Sequence, residues 1–237
     1  MNSWAENLLV SLESASTEKT VFEQIESTAR HLGFDQCAYG MRMPLPFTNP
    51  RVVMLNNYPP AWQARYAEAG YLAIDPSVLH CRQNQAPLIW SDEVFKDTQA
   101  LWDDARAVGL NVGWAQSNLD RYGVGGMLTL SRSGEAITDK ELADKQLKMR
   151  WLTNVAHLAL TRVLKSDPQQ DAYEPLTTRE TDVLKWAADG KTSGEIAEIM
   201  TISVNTVNFH VKNAIFKLKS ANKTAAVVRA AVLGLLA

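Results

Sequence analysis

The chain has 237 residues, 46% of them apolar and 21% charged, with a formal net charge of −2. That composition is globular, excludes a disordered or fibrous chain, and suits one large domain or two ordinary ones. The longest apolar runs fall far short of a membrane span, and MNSWAENLLVSLESAS lacks the basic region of a signal peptide, so the expectation is a cytoplasmic protein with no membrane partner.

In chain order, Ser3-x-x-Glu6 and Thr138-x-x-Glu141 have capping-box spacing, in which a hydroxyl and a carboxylate each reach an orphan N–H of a helix start. Helices are expected over about 3–14, 18–32, 60–69, 98–108 and 138–164, with Gly33 as the C-cap of the second. Segments 35–42, 51–56, 111–118 and 124–132 have strand character. In the last, Met127, Thr129 and Ser131 alternate with Leu128 and Leu130. Helices before and after a mostly antiparallel sheet predict an α+β domain, an α/β/α sandwich with helices on both faces.

Around Lys165 the long helical pattern stops, and SDPQQDAYEP follows with the composition of a linker. The chain therefore divides into a domain over 1–165, a linker over 166–175 and an all-α domain over 176–237. In the last, Thr177-x-x-Glu180 opens one helix, DGK at 189–191 breaks it, and Thr192-x-x-Glu195 opens a second. Ser203 caps a third helix to about Leu218, and KTAAVVRAAVLGLL supplies a fourth. A short helix, a tight turn and a longer helix make a helix-turn-helix.

Charge is unevenly spread. Residues 1–175 hold 16 basic and 21 acidic side chains, whereas from Met200 onward there are only Lys212, Lys217, Lys219, Lys223 and Arg229. Either an anionic partner or a plain solvated helix explains the charge alone. The third helix decides between them. Val204, Val207, Val211, Ala214, Ile215 and Leu218 form its buried stripe, leaving Asn205, Asn208 and Lys212 on another face, flanked by Thr206, Phe209 and Asn213. Short amides stabilise a helix poorly but pair well with base edges, and lysine reaches guanine. Lys191, Thr192, Ser193, Lys217 and Lys219 would serve phosphates, partly through the positive end of the second helix. The expected partner is double-stranded DNA.

Residues 176–236 resemble the DNA-binding domain of LuxR-type transcription regulators, with Glu180, Leu184 and Gly190 at that family's signature positions. The resemblance implies base reading by Asn208 and Lys212 with Asn205 near by, and RNA polymerase as a further partner.

What controls such a domain depends on the front of the chain. A phosphoacceptor receiver is excluded, because Asp103-Asp104 sits inside a helical pattern rather than after a buried strand. The stretch NYPPAWQARYAEAGYLAIDPSVLHC places Tyr58, Trp62, Tyr66 and Tyr71 along a helix and its exit, followed by Asp75. Trp90, Trp102 and Gly113-Trp114 come later. Aromatics at such spacing are ordinary core material, but a carboxylate among apolar residues must find a donor. Polar groups converging among aromatics are the general form of a small-molecule site.

The same stretch is similar to the autoinducer-binding domain of LuxR-type quorum-sensing receptors over about residues 16–165. The resemblance implies an N-acyl-homoserine lactone as ligand. It gives Trp62 a bond to the lactone carbonyl, Asp75 one to the ligand's amide N–H, and Tyr58 one to the acyl amide carbonyl. Thr129 would face that carbonyl too, although strand propensity alone also accounts for it. Tyr66, Trp90, Trp102 and Leu110 would line the ring and chain. A homodimer on an inverted repeat is implied, with half-sites about one helical turn apart and residues 138–164 and the C-terminal helix as dimer faces.

No cofactor, metal site or catalytic residue is expected. Neither a metal cluster nor a GxSxG elbow appears, so an enzyme acting on the lactone is the weaker reading. A ligand-independent regulator with a self-filled pocket is the other rival. Cys37 and Cys81 read as buried thiols rather than a disulfide.

Overall fold

The computed structural model describes residues 3–120, 123–165 and 174–236. Residues 166–173 of the expected linker lie outside the described residues, as does the side chain of Ser3. The described residues form two compact units.

The first unit carries α1 (Ser3–Ser14), α2 (Glu18–His31), β1 (Gln36–Arg42), β2 (Val52–Asn56), α3 (Pro60–Glu68), α4 (Pro76–Gln83), β3 (Leu88–Ile89), α5 (Gln99–Ala107), β4 (Val112–Leu119), β5 (Gly125–Arg132) and α6 (Asp139–Lys165). The strands make one antiparallel sheet in the order β2-β1-β5-β4-β3. Pairing of Tyr39 with Leu128, Cys37 with Leu130 and Trp114 with Leu130 puts those side chains on a single face. Val21, Ile25 and Ala29 of α2 and Met149, Leu152, Ala156 and Leu160 of α6 cover them, with Leu8 and Leu12 of α1. Leu128 is fully buried, so Leu128→Ala there costs about 2–5 kcal/mol. One polar tie crosses this core, Tyr39 Oη to His157 Nδ1 at 2.7 Å. It passes so close to Gly126 that an added Cβ would lie 2.3 Å from the imidazole, which requires glycine there.

Local chemistry explains the helix ends. α2 starts on a capping box formed by Thr17 and Thr20, a signal outside the Ser/Thr-x-x-Glu pattern, and ends at left-handed Gly33. Of the expected box at Thr138, half forms: Glu141 N–H donates to Thr138 Oγ1, but the Glu141 carboxylate turns away to a two-pronged pair with Arg132, at 2.8 and 2.7 Å. Lys145 adds a third bond, and together these hold the Glu141 carboxyl down at about 2. Spanning 27 residues, α6 runs about 40 Å.

The second unit carries α7 (Thr178–Ala188), α8 (Ser193–Met200), α9 (Val204–Lys217) and α10 (Lys223–Val232). Thr177 with Glu180 and Thr192 with Glu195 both form complete capping boxes, and Ser203 caps α9 by accepting from Thr206 N–H. Val183, Ile196, Val207 and Val211 form one buried cluster; Leu184, Ala214, Leu218, Ala226 and Ala230 form another. Val204 departs from the expected stripe. As the first helical residue it is 45% exposed, because the chain is still entering the helix. The turn from α8 to α9 needs Thr201 in the left-handed region, at φ 56°.

Candidate functional site

Beyond the other face of the sheet, α3 begins with Pro60 at its first turn, where the missing N–H costs nothing. Trp62 and Tyr66, four residues apart, share one side of α3, and Tyr71 follows on a short 3₁₀ turn. Their rings meet edge to face, Trp62 to Tyr66 at 5.5 Å and Tyr66 to Tyr71 at 5.9 Å. Trp102 of α5 stacks on Phe95 at 4.5 Å, and Trp90 meets both edgewise. Tyr58, Trp62, Tyr66, Trp90, Trp102 and Leu110, expected together from the sequence, belong to a single apolar cluster. Tyr71, Phe95, Leu101 and Ala105 belong to it as well. The Trp102 indole donates to Asp92 Oδ1 at 2.6 Å, which leaves Trp102 to act through its ring.

Asp75 attaches to this cluster through Tyr66, whose hydroxyl donates to Asp75 Oδ2 at 2.9 Å. Oδ1 accepts from Ser77 N–H at 2.8 Å, because Asp75 is the N-cap of α4 and Pro76 its first residue. Sequence reading missed α4; Asp-Pro-Ser is the signal that marks it. Burial raises the Asp75 carboxyl above its ordinary value, against the pull of Tyr66 and Ser77. Of the about four lone-pair sites of a carboxylate, Tyr66 and the Ser77 N–H take two, and the Ser77 hydroxyl and the Val78 N–H pull on the group as well. Among the described residues, the Trp62 indole N–H makes no hydrogen bond.

The sheet face below is floored by short side chains. Thr129 pairs with Ala38 on one side and Ala115 on the other. Ala38 and Ala115 are buried and belong to neither apolar cluster. Gly113 lets Trp90 settle onto β4: a Cβ there would lie 2.1 Å from the indole ring. Tyr58 lies near Ser131, and burial pushes its hydroxyl pKa up. Trp114, grouped with these aromatics in the sequence, points through the opposite face into the core with Leu130. Cys37 and Cys81 are free thiols, both pushed up to about 12 by burial. Among the described residues no group of three His, Cys, Asp or Glu side chains could hold a metal. No described helix is long and apolar enough to cross a membrane.

In the second unit, α9 exposes Asn205, Asn208, Phe209 and Lys212, while Thr206 and Asn213 are half-buried at the margin. Thr206 Oγ1 lies 2.8 Å from Ser203 Oγ. Lys191 lies 4.0 Å from Glu195, and the Thr192 hydroxyl donates to Glu195, so α8 presents its amide end with a carboxylate close by. Lys217 has partners that the sequence reading did not assign. Its ammonium donates to Glu180 at 2.8 Å and to the Pro175 carbonyl at 3.2 Å, with 18% of the side chain exposed. In the folded unit it is the counter-ion of Glu180. The pattern hid this, because Glu180 reads as a capping residue and is one, with its carboxylate also buried.

Residues 17–160 match the autoinducer binding domain family, and residues 174–230 match the bacterial regulatory proteins of the luxR family. The chain is 45% identical to the transcriptional activator protein AnoR of Acinetobacter nosocomialis over all of both chains. It is 41% identical to SolR of Ralstonia solanacearum over 94% of each. A solved structure of SdiA in complex with octanoyl-rac-glycerol superposes with a TM-score of 0.84 at 38% identity, covering 99% of this chain and 96% of that one. The chain belongs to the LuxR family of quorum-sensing transcription regulators: it responds to a ligand through its first unit, binds DNA through its second, and is not an enzyme.

Proposed function

We propose that the first unit binds an N-acyl-homoserine lactone and that the chain acts as a homodimer on an inverted-repeat operator in the cytoplasm, contacting RNA polymerase there. The domains run over 1–165 and 176–237, joined by a linker over 166–175. One observation carries the ligand reading: an acceptor-only carboxylate, Asp75, is held by Tyr66 of the same aromatic cluster that contains the donor-only indole of Trp62. An acylated amino-lactone offers the complement, an amide N–H for Asp75 and a ring carbonyl for Trp62. Tyr58 and Thr129 take the acyl carbonyl. Trp90, Trp102, Tyr66 and Leu110 enclose ring and chain, burying apolar surface worth about 25 cal/mol per Å².

On DNA, Asn205, Asn208 and Lys212 read bases from the major groove, flanked by Thr206 and Asn213, and Lys191 and Thr192 meet phosphates. The spread of exposed apolar groups along α6, Leu147 and Leu158, supports α6 as a dimer face, and Phe216 and Val228 do so for α9 and α10. The test is to incubate the purified full chain with a lactone mixture, remove free ligand, extract, and identify what remains by mass. One acyl lactone per chain is expected; a folded chain that retains none from the mixture contradicts the reading.

A further inference from the structure

Among the described residues, Trp90 Nε1, Ser131 Oγ and Gln36 Oε1 are buried on the pocket side of the sheet without a hydrogen-bond partner, and Ser77 Oγ beside Asp75 is a further such atom. Strand register links the first three. Gln36 pairs with Ser131 across β1 and β5, Ser131 pairs with Gly113 across β5 and β4, and Trp90 lies on Gly113. They form a row across three strands, with a donor at one end, a hydroxyl in the middle and a carbonyl acceptor at the other end. Neighbouring strands stand about 4.8 Å apart, so opposite side chains such as Ser131 and Gln36 are within reach of each other, and an oxygen between Trp90 and Ser131 would complete the row. Native structures leave few buried polar groups unpaired, so three in one row call for an occupant.

The row also defines the occupant's chemistry. An indole N–H needs an acceptor, whereas an amide carbonyl needs a donor. A ketone, ester or lactone oxygen serves the indole but leaves the Ser131 oxygen without a donor. A hydroxyl group or a water molecule accepts from the indole, donates to Ser131 Oγ and leaves the Ser131 hydroxyl to donate on to Gln36.

We propose that Trp90, Ser131 and Gln36 form a hydroxyl subsite of the pocket, which holds an oxygen that accepts from the Trp90 indole and passes a hydrogen bond through Ser131 toward Gln36. This rests on the ligand-pocket reading above. The oxygen comes from a hydroxyl on the ligand's head group or from water trapped beneath it. Ser131 also neighbours Tyr58, so the held oxygen fixes the hydroxyl that the acyl carbonyl meets.

Two probes separate the sources: N-octanoyl-homoserine lactone, which has no hydroxyl, and 1-octanoylglycerol, which has two. Each is titrated calorimetrically into the full-length wild type, Ser131→Ala, Trp90→Phe and the double variant, with folding checked by thermal melts. Each single change should weaken a probe about tenfold or more, and the double should lose less than the product of the two, because one oxygen joins them. Loss confined to the glycerol probe assigns the oxygen to the ligand; equal loss on both assigns it to water. Should Ser131→Ala fail to fold, Gln36→Met with Trp90→Phe makes the same comparison. Folded variants within about twofold of wild type on both probes, or fully multiplicative losses, overturn the subsite. A wild type that binds neither probe overturns the pocket reading and the subsite with it.

Discussion

Replacing Lys217 by alanine should strongly destabilise the second unit rather than merely weaken its grip on DNA. Glu180 has a side chain only 3% exposed, and Lys217 is the cation that meets it. Burial by itself would raise the Glu180 carboxyl; the bonds from Lys217 and Thr177 outweigh it and hold the group below its ordinary value. Without Lys217 the charge remains buried with only its cap bond, a loss of about 3–5 kcal/mol. A unit of this size is stable by only about 3–9 kcal/mol, so the loss removes a third or more of its stability. Urea unfolding of the full chain, followed by far-UV circular dichroism, should show the α7–α10 transition shifted to much lower denaturant. Replacing both partners, as Glu180→Leu with Lys217→Met, removes the charge together with its counter-ion and should restore most of the stability and the affinity for duplex DNA. The reasoning is refuted if Lys217→Ala unfolds like wild type while its DNA affinity falls and its salt slope drops by about one charge, since that is how a phosphate contact behaves.

Lys212→Ala and Asn208→Ala should leave the urea transition unmoved and reduce discrimination at one base pair per half-site by about 1–3 kcal/mol; equal loss on specific and scrambled duplexes would remove them as base readers. Glu141→Gln should remove on the order of 3 kcal/mol from the first unit at neutral pH. Because its carboxyl is depressed from 4.5 to about 2, that contribution is fully present above pH 4.5 and is lost as pH falls toward 2, so the variant's acid-unfolding curve should be flatter across that window. Lys219 closes α9 in the left-handed region at φ 48°, and Lys219→Gly should raise the melting temperature through about 1 kcal/mol of relieved strain; an unchanged or lower value would mean that lysine contacts outweigh the backbone.

Much of this was legible because the signals are local. Capping boxes at Thr177 and Thr192, the Ser203 cap and the alternation in β5 each depend on residues within a few positions of one another, so helices, strands and the helix-turn-helix followed from spacing. What the sequence hid is set by distant contacts. Glu141 has capping spacing but is drawn away by Arg132, nine positions earlier. Lys217 looked free because its partner lies 37 residues back. Trp114 and Gly113 are neighbours in sequence but serve opposite faces of β4, and only register shows which aromatic faces the pocket. The short strand β3 has two residues, too few for any period to show.

Asp75 is the residue on which the ligand reading turns, and its substitution by asparagine tests that reading most directly. Asn keeps the oxygen that caps α4, but it replaces a charge-assisted acceptor with a neutral one and adds an NH2 that has no place to donate. Together these should cost about 2–4 kcal/mol, roughly thirtyfold to a thousandfold in affinity, and more than Trp62→Phe, which deletes one neutral bond for about 0.5–1.5 kcal/mol. Because burial raises the Asp75 carboxyl, wild-type affinity should also fall with pH from above the usual carboxylate range, and the variant's should not. The measurement is calorimetric titration of the folded wild type and Asp75→Asn with the acyl lactone that the wild type retains. The account predicts a loss of at least about thirtyfold, with the wild type alone weakening in acid; an Asp75→Asn protein that binds within about twofold of wild type makes Asp75 a helix cap and nothing more, and contradicts it.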